Sequence, residues 1–230
     1  MAKTPLATKS SPAIHPMPFV RIELAVLSVL DGALHVLLGK RTGEPYSGQW
    51  ALPGGVLRID LDADLEAAAF RIASERLETQ LPSVTQLCAV GGQLRDPRAP
   101  WALSVVYRSM LAAEQLQATP GKRLDALRWV PTDVAEKDDH LAFDHAELIG
   151  NAARETRAEF DNLQFPAGFL ADTFTLSELQ EVSEAVLGRH LDKSSFRRRL
   201  SDRGCLQEVP GEMRTGTFRP AQLYALSRRG

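Results

Sequence analysis

The sequence predicts an α/β (α+β) sandwich domain followed by a C-terminal winged helix-turn-helix domain. Three observations carry this expectation. Strand-sized apolar segments alternate with two long helical patterns across residues 19–160. A capping box, a glycine stop and a second capped helix, strongly basic, follow within residues 173–204. Two strand-like segments around a Gly- and Pro-bearing tip then close the chain.

The composition sets the limits. The chain has 230 residues and a formal charge of −2, enough for one large domain or two modest ones. Apolar residues make up 44% and charged residues 24%, which excludes a disordered, collagen-like or disulfide-scaffold protein. No apolar run reaches the roughly 18–20 residues of a membrane helix. Cys88 and Cys205 lie far apart, a usage that fits a reducing cytosol and predicts no structural zinc. The charge is uneven. Residues 1–172 carry 17 Lys and Arg against 22 Asp and Glu, whereas residues 173–230 carry 10 against 7. A small basic segment after an acidic body points to a partner for that segment alone.

Each element follows from a local signal. Residues 1–18, with four prolines and no apolar core, read as a flexible tail rather than a signal peptide. Residues 20–30 and 34–38 flank Asp31-Gly32, a hairpin signature. Residues 41–55, RTGEPYSGQWALPGG, read as loop. Residues 62–78 are predicted helical, with Leu65, Ala69, Ala73 and Leu77 on one face. Strands are expected at 84–90, 103–112 and 127–130. Residues 144–160 read as a long helix with Asp144 and Glu147 as a capping box. Residues 161–172 are the expected linker between a domain at 19–160 and one at 173–230. Thr175 and Glu178 open a helix that Gly188 ends; Asp192 caps the next, and Gly204 stops it.

One motif concerns phosphate chemistry. WALPGG, followed by a helix bearing Arg71 and Glu75, resembles the Nudix box. That pattern sets glutamates at helical spacing so that they share a face and hold Mg²⁺. The metal neutralises a pyrophosphate and helps activate water. Here Ile72, Glu75 and Arg76 stand at the three glutamate positions and Ala63 at the upstream one, although Asp62 and Asp64 flank it. One carboxylate beside a new cation is a poor magnesium site. The expectation is a pocket that binds a nucleotide diphosphate without hydrolysing it, with no catalytic residue and no metal. Asp139-His140 and Asp144-His145 are the other metal-like pairs, and Asp144 is instead assigned as a cap. The candidate ligand-binding residues are Arg41, Trp50, Gly54, Gly55, Arg71, Glu75 and Arg76. Arg76 either attracts a phosphate or pairs with Glu75.

The second constellation is LDKSSFRRRL at 191–200. Phe196 and Leu200, four apart, are expected to face the core. Lys193, Ser194, Arg197 and Arg198 then face outward, as on a recognition helix. Arg214 in the wing is a further candidate DNA contact, and Arg219 is either a contact or structural.

Together the halves resemble the NrtR family of Nudix-related transcriptional regulators, across about residues 19–228. WALPGG, KRTGEPYSGQW, RDPR at 95–98 and RWVP at 128–131 carry the first half. FTLSELQEVSEAVLGRHLDKSSFRRRL and FRPAQLYAL carry the second. The resemblance implies a homodimeric repressor of NAD biosynthesis and salvage genes, bound to an operator of two half-sites in double-stranded DNA. It implies ADP-ribose or a related nucleotide as effector, no required cofactor and no membrane. A cytoplasmic, nucleoid-associated bacterial setting follows. Two other readings stay open: a divergent magnesium-dependent Nudix hydrolase completing its site with Asp62 or Asp64, and a nucleotide sensor whose basic module binds an acidic protein.

Overall fold

A computed structural model describes residues 17–112, 115–214 and 220–227. Arg219 and most of the expected tail lie outside them. Strands β1 (Phe19–Leu30) and β2 (Ala33–Arg41) form the expected hairpin. Asp31 and Gly32 both take positive φ, 48° and 72°, as a two-residue hairpin turn matching strand twist requires.

The expected loop at 41–55 holds two short strands, β3 (Trp50–Ala51) and β4 (Gly54–Val56). The remaining strands of the first domain are β5 (Thr85–Gln93), β6 (Trp101–Met110) and β7 (Leu124–Pro131). The sheet runs β3-β2-β1-β6-β5, with β4 paired to β1 and β7 to β2. β1 and β6 are parallel.

Both faces of β1 are buried. Ile22, Leu24 and Val26 pack with Ala69, Ile72, Ala73 and Leu77 of α1 (Leu65–Leu77). Ala25 and Leu27, of the other parity, pack with Leu148, Ile149 and Ala152 of α3 (His145–Asp161). The sheet is therefore sandwiched between two helices, and α2 (Thr132–Ala135) links β7 toward α3. Asp64 caps α1 through Ala67 N at 2.7 Å. Asp144 precedes α3 but makes no side-chain cap. Its carboxylate accepts instead from Arg95, at 2.7 Å, a bond in which both partners carry charge.

The C-terminal part contains α4 (Leu176–Leu187), α5 (Lys193–Arg203), β8 (Leu206–Arg214) and β9 (Ala221–Leu226). The Thr175/Glu178 capping box forms with both bonds present, and Gly188 ends α4 in the left-handed conformation. Asp192 caps α5 and Gly204 stops it in the same way. Gln180 and Glu184 of α4 bond the backbone of Leu191 and so shape the inter-helix turn. Phe174 pairs with Tyr224 and adds a bridge to the β8–β9 sheet.

The linker is not a free tether. Phe165 stacks on Phe169 at 5.4 Å, and both meet Phe160 of α3 edge-on at 5.3 Å. Phe160, Leu163, Phe169, Phe174, Leu179, Phe196 and Leu200 belong to one buried cluster that also contains Leu27 and Val36. The winged helix and the sandwich thus share a core. Among the described residues, no helix is long and apolar enough to cross a membrane.

Candidate functional site

Five arginines, Arg21, Arg41, Arg76, Arg98 and Arg123, line one cleft together with Leu52 and Gly54. They arrive from β1, β2, α1 and two loops, so only the tertiary fold assembles them. Most are fixed before any ligand arrives. Arg41 donates to the Pro45 carbonyl at 2.6 and 3.0 Å. Arg76 donates to the carbonyls of Gly54 at 2.8 Å and Lys122 at 2.7 Å. Arg98 grips buried Asp96. Burial and then the neighbouring charges of Arg21 and Arg98 push the Arg41 pKa down to about 10. Burial also lowers that of Arg76. At Arg41 and Arg76, then, burial works against the charged form. Phe143 sits against both Arg41 and Arg21, their guanidinium carbons 5.1 and 5.5 Å from its ring centre.

A buried ionic layer underlies the cleft. Arg21 Nε donates to Glu23 Oε1 at 2.7 Å, and both side chains are nearly inaccessible. Burial pushes the Glu23 carboxyl up, but Arg21, His145 and Arg95 outweigh it and hold it below the usual range. His145, the first residue of α3, lies fully buried with Nε2 3.9 Å from Glu23 Oε2. Its Nδ1 accepts from Leu52 N at 2.9 Å, so the neutral ring carries its proton on Nε2. Burial is the main reason its pKa falls to about 4. A second bond, Ala142 N to Trp50 O at 2.9 Å, ties the same two segments together.

The expected ligand residues divide. Arg41, Gly54 and Arg76 line the cleft. Trp50, Gly55, Arg71 and Glu75 do not. Trp50 packs against the α3-side core, with Arg128 4.1 Å above its ring. Gly55 is a packing glycine, since a Cβ there would lie 3.0 Å from Ile72. Arg71 is held by Asp62 at 2.6 and 2.8 Å, by the Val56 carbonyl and by Glu75. Glu75 is shared between Arg71 and Lys122. The Arg76–Glu75 pairing is not what fixes Arg76, which points to backbone carbonyls instead. Ile72 is fully buried. Asp62, bonded by Arg71, is held below the usual carboxylate range. His140 is exposed, with its ring beside Asp139 and its backbone amide on Asp138, while His145 is buried beneath the cleft.

On the winged helix, Phe196 and Leu200 are each 3% exposed. Lys193, Ser194, Arg197 and Arg198 all face solvent. Lys193 and Arg197, one turn apart, border a second cleft with Thr175, Ser177 and Tyr224. Arg214 departs from its expected place. Its guanidinium turns back to Glu178 Oε2 at 3.3 Å and to the Thr173 carbonyl at 3.4 Å. An ion pair with the capping residue of α4 draws it inward, so it braces the base of the wing. The expected tip at 215–219 lies outside the described residues.

Sequence reasoning missed Arg21, Arg98 and Arg123 as cleft residues, and Phe143 as the ring beside Arg21 and Arg41. The signal for the first was present. Arg21 and Glu23, two apart within FVRIELAVLSVL, are charges of one parity in an otherwise apolar strand, and buried charges are paired.

Residues 21–152 match the family model of the Nudix domain. Residues 166–226 match that of the NrtR DNA-binding winged helix domain. The molecule is therefore a Nudix domain joined to a DNA-binding winged helix. The chain is 34% identical over 210 residues to the ADPR responsive transcriptional repressor NtrR of Acinetobacter baylyi, covering 91% of this chain and 82% of that one. It superposes on Shewanella oneidensis NrtR complexed with a 27mer DNA with a TM-score of 0.75 and 31% identity, over 90% of this chain and 93% of that chain. The Nudix domain of Shewanella oneidensis NrtR complexed with ADP ribose matches with a TM-score of 0.56 and 29% identity, over 64% and 93% of the two chains. The chain belongs to the NrtR family of Nudix-related transcriptional regulators.

Proposed function

We propose that the chain is a homodimeric transcriptional repressor of NAD biosynthesis and salvage genes. Its Nudix domain senses ADP-ribose or a related nucleotide and does not hydrolyse it. The observation that carries the effector reading is the convergence of five arginines on one cleft. Glu23 and Asp96 already pair with Arg21 and Arg98, whereas Arg41 and Arg76 donate only to carbonyl oxygens among the described residues, and a nucleotide diphosphate supplies the counter-anion for these two. The relatives solved with ADP ribose and with duplex DNA support the same two ligand classes here.

The Nudix helix supports loss of catalysis. Ile72 is buried in the core, Arg76 is committed to the Gly54 and Lys122 carbonyls, and Glu75 is already shared by two cations. Asp62, the alternative metal ligand, is taken by Arg71. Lys193, Ser194, Arg197 and Arg198 meet DNA, with the arginines placed for phosphates or guanine. A single module with so few cations binds weakly, which is why two half-sites and a dimer are expected. The effector acts by preferring one arrangement of the winged helices over the other.

The test is fluorescence anisotropy of the protein on duplex DNA from upstream of NAD-metabolism genes in its own genome, with and without ADP-ribose at fixed salt. Binding that ADP-ribose changes is the expected result. Sequence-indifferent binding, or release of AMP from ADP-ribose in magnesium, would overturn the reading.

A further inference from the structure

The recognition helix carries three consecutive arginines, and they do not share one fate. Arg197 and Arg198 face solvent and make no hydrogen bond or ion pair with the described residues. Arg199 is exposed as well, but its guanidinium donates to the backbone carbonyl of Asp161. Asp161 is the last residue of α3. The carbonyls before it, those of Ala158, Glu159 and Phe160, already accept backbone amides of residues 162–164. The Asp161 carbonyl is thus an exposed acceptor at the negative end of a helix, where cations are favoured. A second arginine of the winged helix, Arg189, pairs with the Asp161 carboxylate. Arg157 crosses the same seam in reverse, from α3 to the Val186 carbonyl near the end of α4 at 3.2 Å.

The other end of α3 lies at the arginine cleft. Its first residue, His145, accepts from Leu52 N, and Leu52 lines the cleft. Asp144, just before it, holds Arg95. The helix between is 17 residues long, a continuous span of about 25 Å. One rigid element therefore touches the effector cleft at its N-terminus and the recognition helix at its C-terminus.

We propose that Arg199 is a positioning residue, not a DNA contact: it fastens the recognition helix to the C-terminal end of α3 and so passes the state of the arginine cleft to the DNA-binding surface. The inference rests on the regulator reading above. In it, α3 shifts when the Trp50–Leu52 segment rearranges around an anion, and α5 follows through Arg199. Without that bond the nucleotide still binds and the DNA still binds, but the linkage between the two events weakens rather than vanishes, because the shared core, Arg157 and Arg189 still join the domains. Arg189, exposed like Arg199, supports the same joint through the Asp161 side chain.

The experiment compares wild type, Arg199→Ala, Arg199→Lys and Arg198→Ala on the same operator duplex. Three quantities are read: ADP-ribose affinity by calorimetry, the slope of DNA affinity against salt, and the ratio of DNA affinities with and without ADP-ribose. Effector coupling commonly spans about 5–150-fold. Arg199→Ala should move that ratio about 2–30-fold toward unity while ADP-ribose affinity and salt slope stay at wild-type values. Arg199→Lys, which keeps a donor and a charge, should restore part of the ratio. Arg198→Ala should lower the salt slope by about one and keep the ratio. A lower salt slope in Arg199→Ala, or an unchanged ratio, would overturn the inference and leave the regulator reading intact. A wild type that binds no operator, or whose DNA affinity ignores ADP-ribose, would overturn both.

Discussion

Glu23 and Gly54 are register partners across β1 and β4, and the carboxylate of one occupies the space a side chain on the other would need. A Cβ on Gly54 would stand 1.7 Å from Glu23 Oε2 and 2.9 Å from the Ile22 carbonyl. The glycine is required by this close approach, and the φ angle plays no part. Gly54→Ala should eject Glu23 from its site beside Arg21 and His145. Breaking a buried ion pair costs about 3–5 kcal/mol, so the variant should unfold at clearly lower denaturant and lose ADP-ribose binding. Chemical denaturation followed by calorimetry checks both; wild-type stability in Gly54→Ala would rule out the packing argument.

Arg41 carries the most destabilised charge of the cleft, hemmed in by Arg21 and Arg98. Arg41→Met keeps the stem and removes the cation. A charge-assisted hydrogen bond contributes about 1.5–3 kcal/mol, so ADP-ribose affinity should fall roughly ten- to hundredfold. Arg58→Ala serves as control, because Arg58 pairs with Asp60 away from the cleft. Equal losses in the two variants would mean that general charge, not the cleft, attracts the nucleotide.

His145 makes stability depend on pH. Its pKa falls from 6.5 to about 4 on folding. Between those values the unfolded chain takes up a proton that the folded chain refuses. The unfolded state binds more protons, so stability is fully present above about pH 6.5 and is lost as pH falls toward 4. One such group contributes at most about 1.4 kcal/mol per pH unit. His145→Gln, which can still accept from Leu52 N, should flatten the slope of unfolding free energy between pH 6.5 and 4.5. A slope unchanged in that variant would assign the proton to another group.

Arg197→Ala with Arg198→Ala should weaken DNA binding at every sequence tested and lower the salt slope by about two, one for each phosphate no longer neutralised. Anisotropy at several salt concentrations measures it. Affinity equal to wild type would remove α5 as the DNA-contacting helix.

Local signals made most of the fold legible. The Asp31-Gly32 turn, the apolar stripe of α1, the Thr175/Glu178 capping box and the Gly188 and Gly204 stops all act within a few residues, and each stands in the structure as read. The outward face of α5 was legible for the same reason. Phe196 and Leu200 are one turn apart, so burying them turns Lys193, Ser194, Arg197 and Arg198 outward. Asp144 was misread because a cap competes with any stronger partner, and Arg95 is distant in sequence. Arg214, expected as a DNA contact, likewise has a partner distant in sequence, Glu178.

The arginine cleft was only half legible. The motif spacing around WALPGG pointed to Arg41, Gly54 and Arg76, and also to Arg71 and Glu75, which face Asp62 and Lys122 instead. The sequence by itself determined the order of elements, the helix ends and the outward face of α5, because these depend on spacing along one segment. Tertiary structure decided which arginines meet, which are already engaged, and that α3 runs from Leu52 to Arg199. Those relations join residues far apart in the chain. They depend on how strands pair and helices pack, a geometry that no local periodicity encodes.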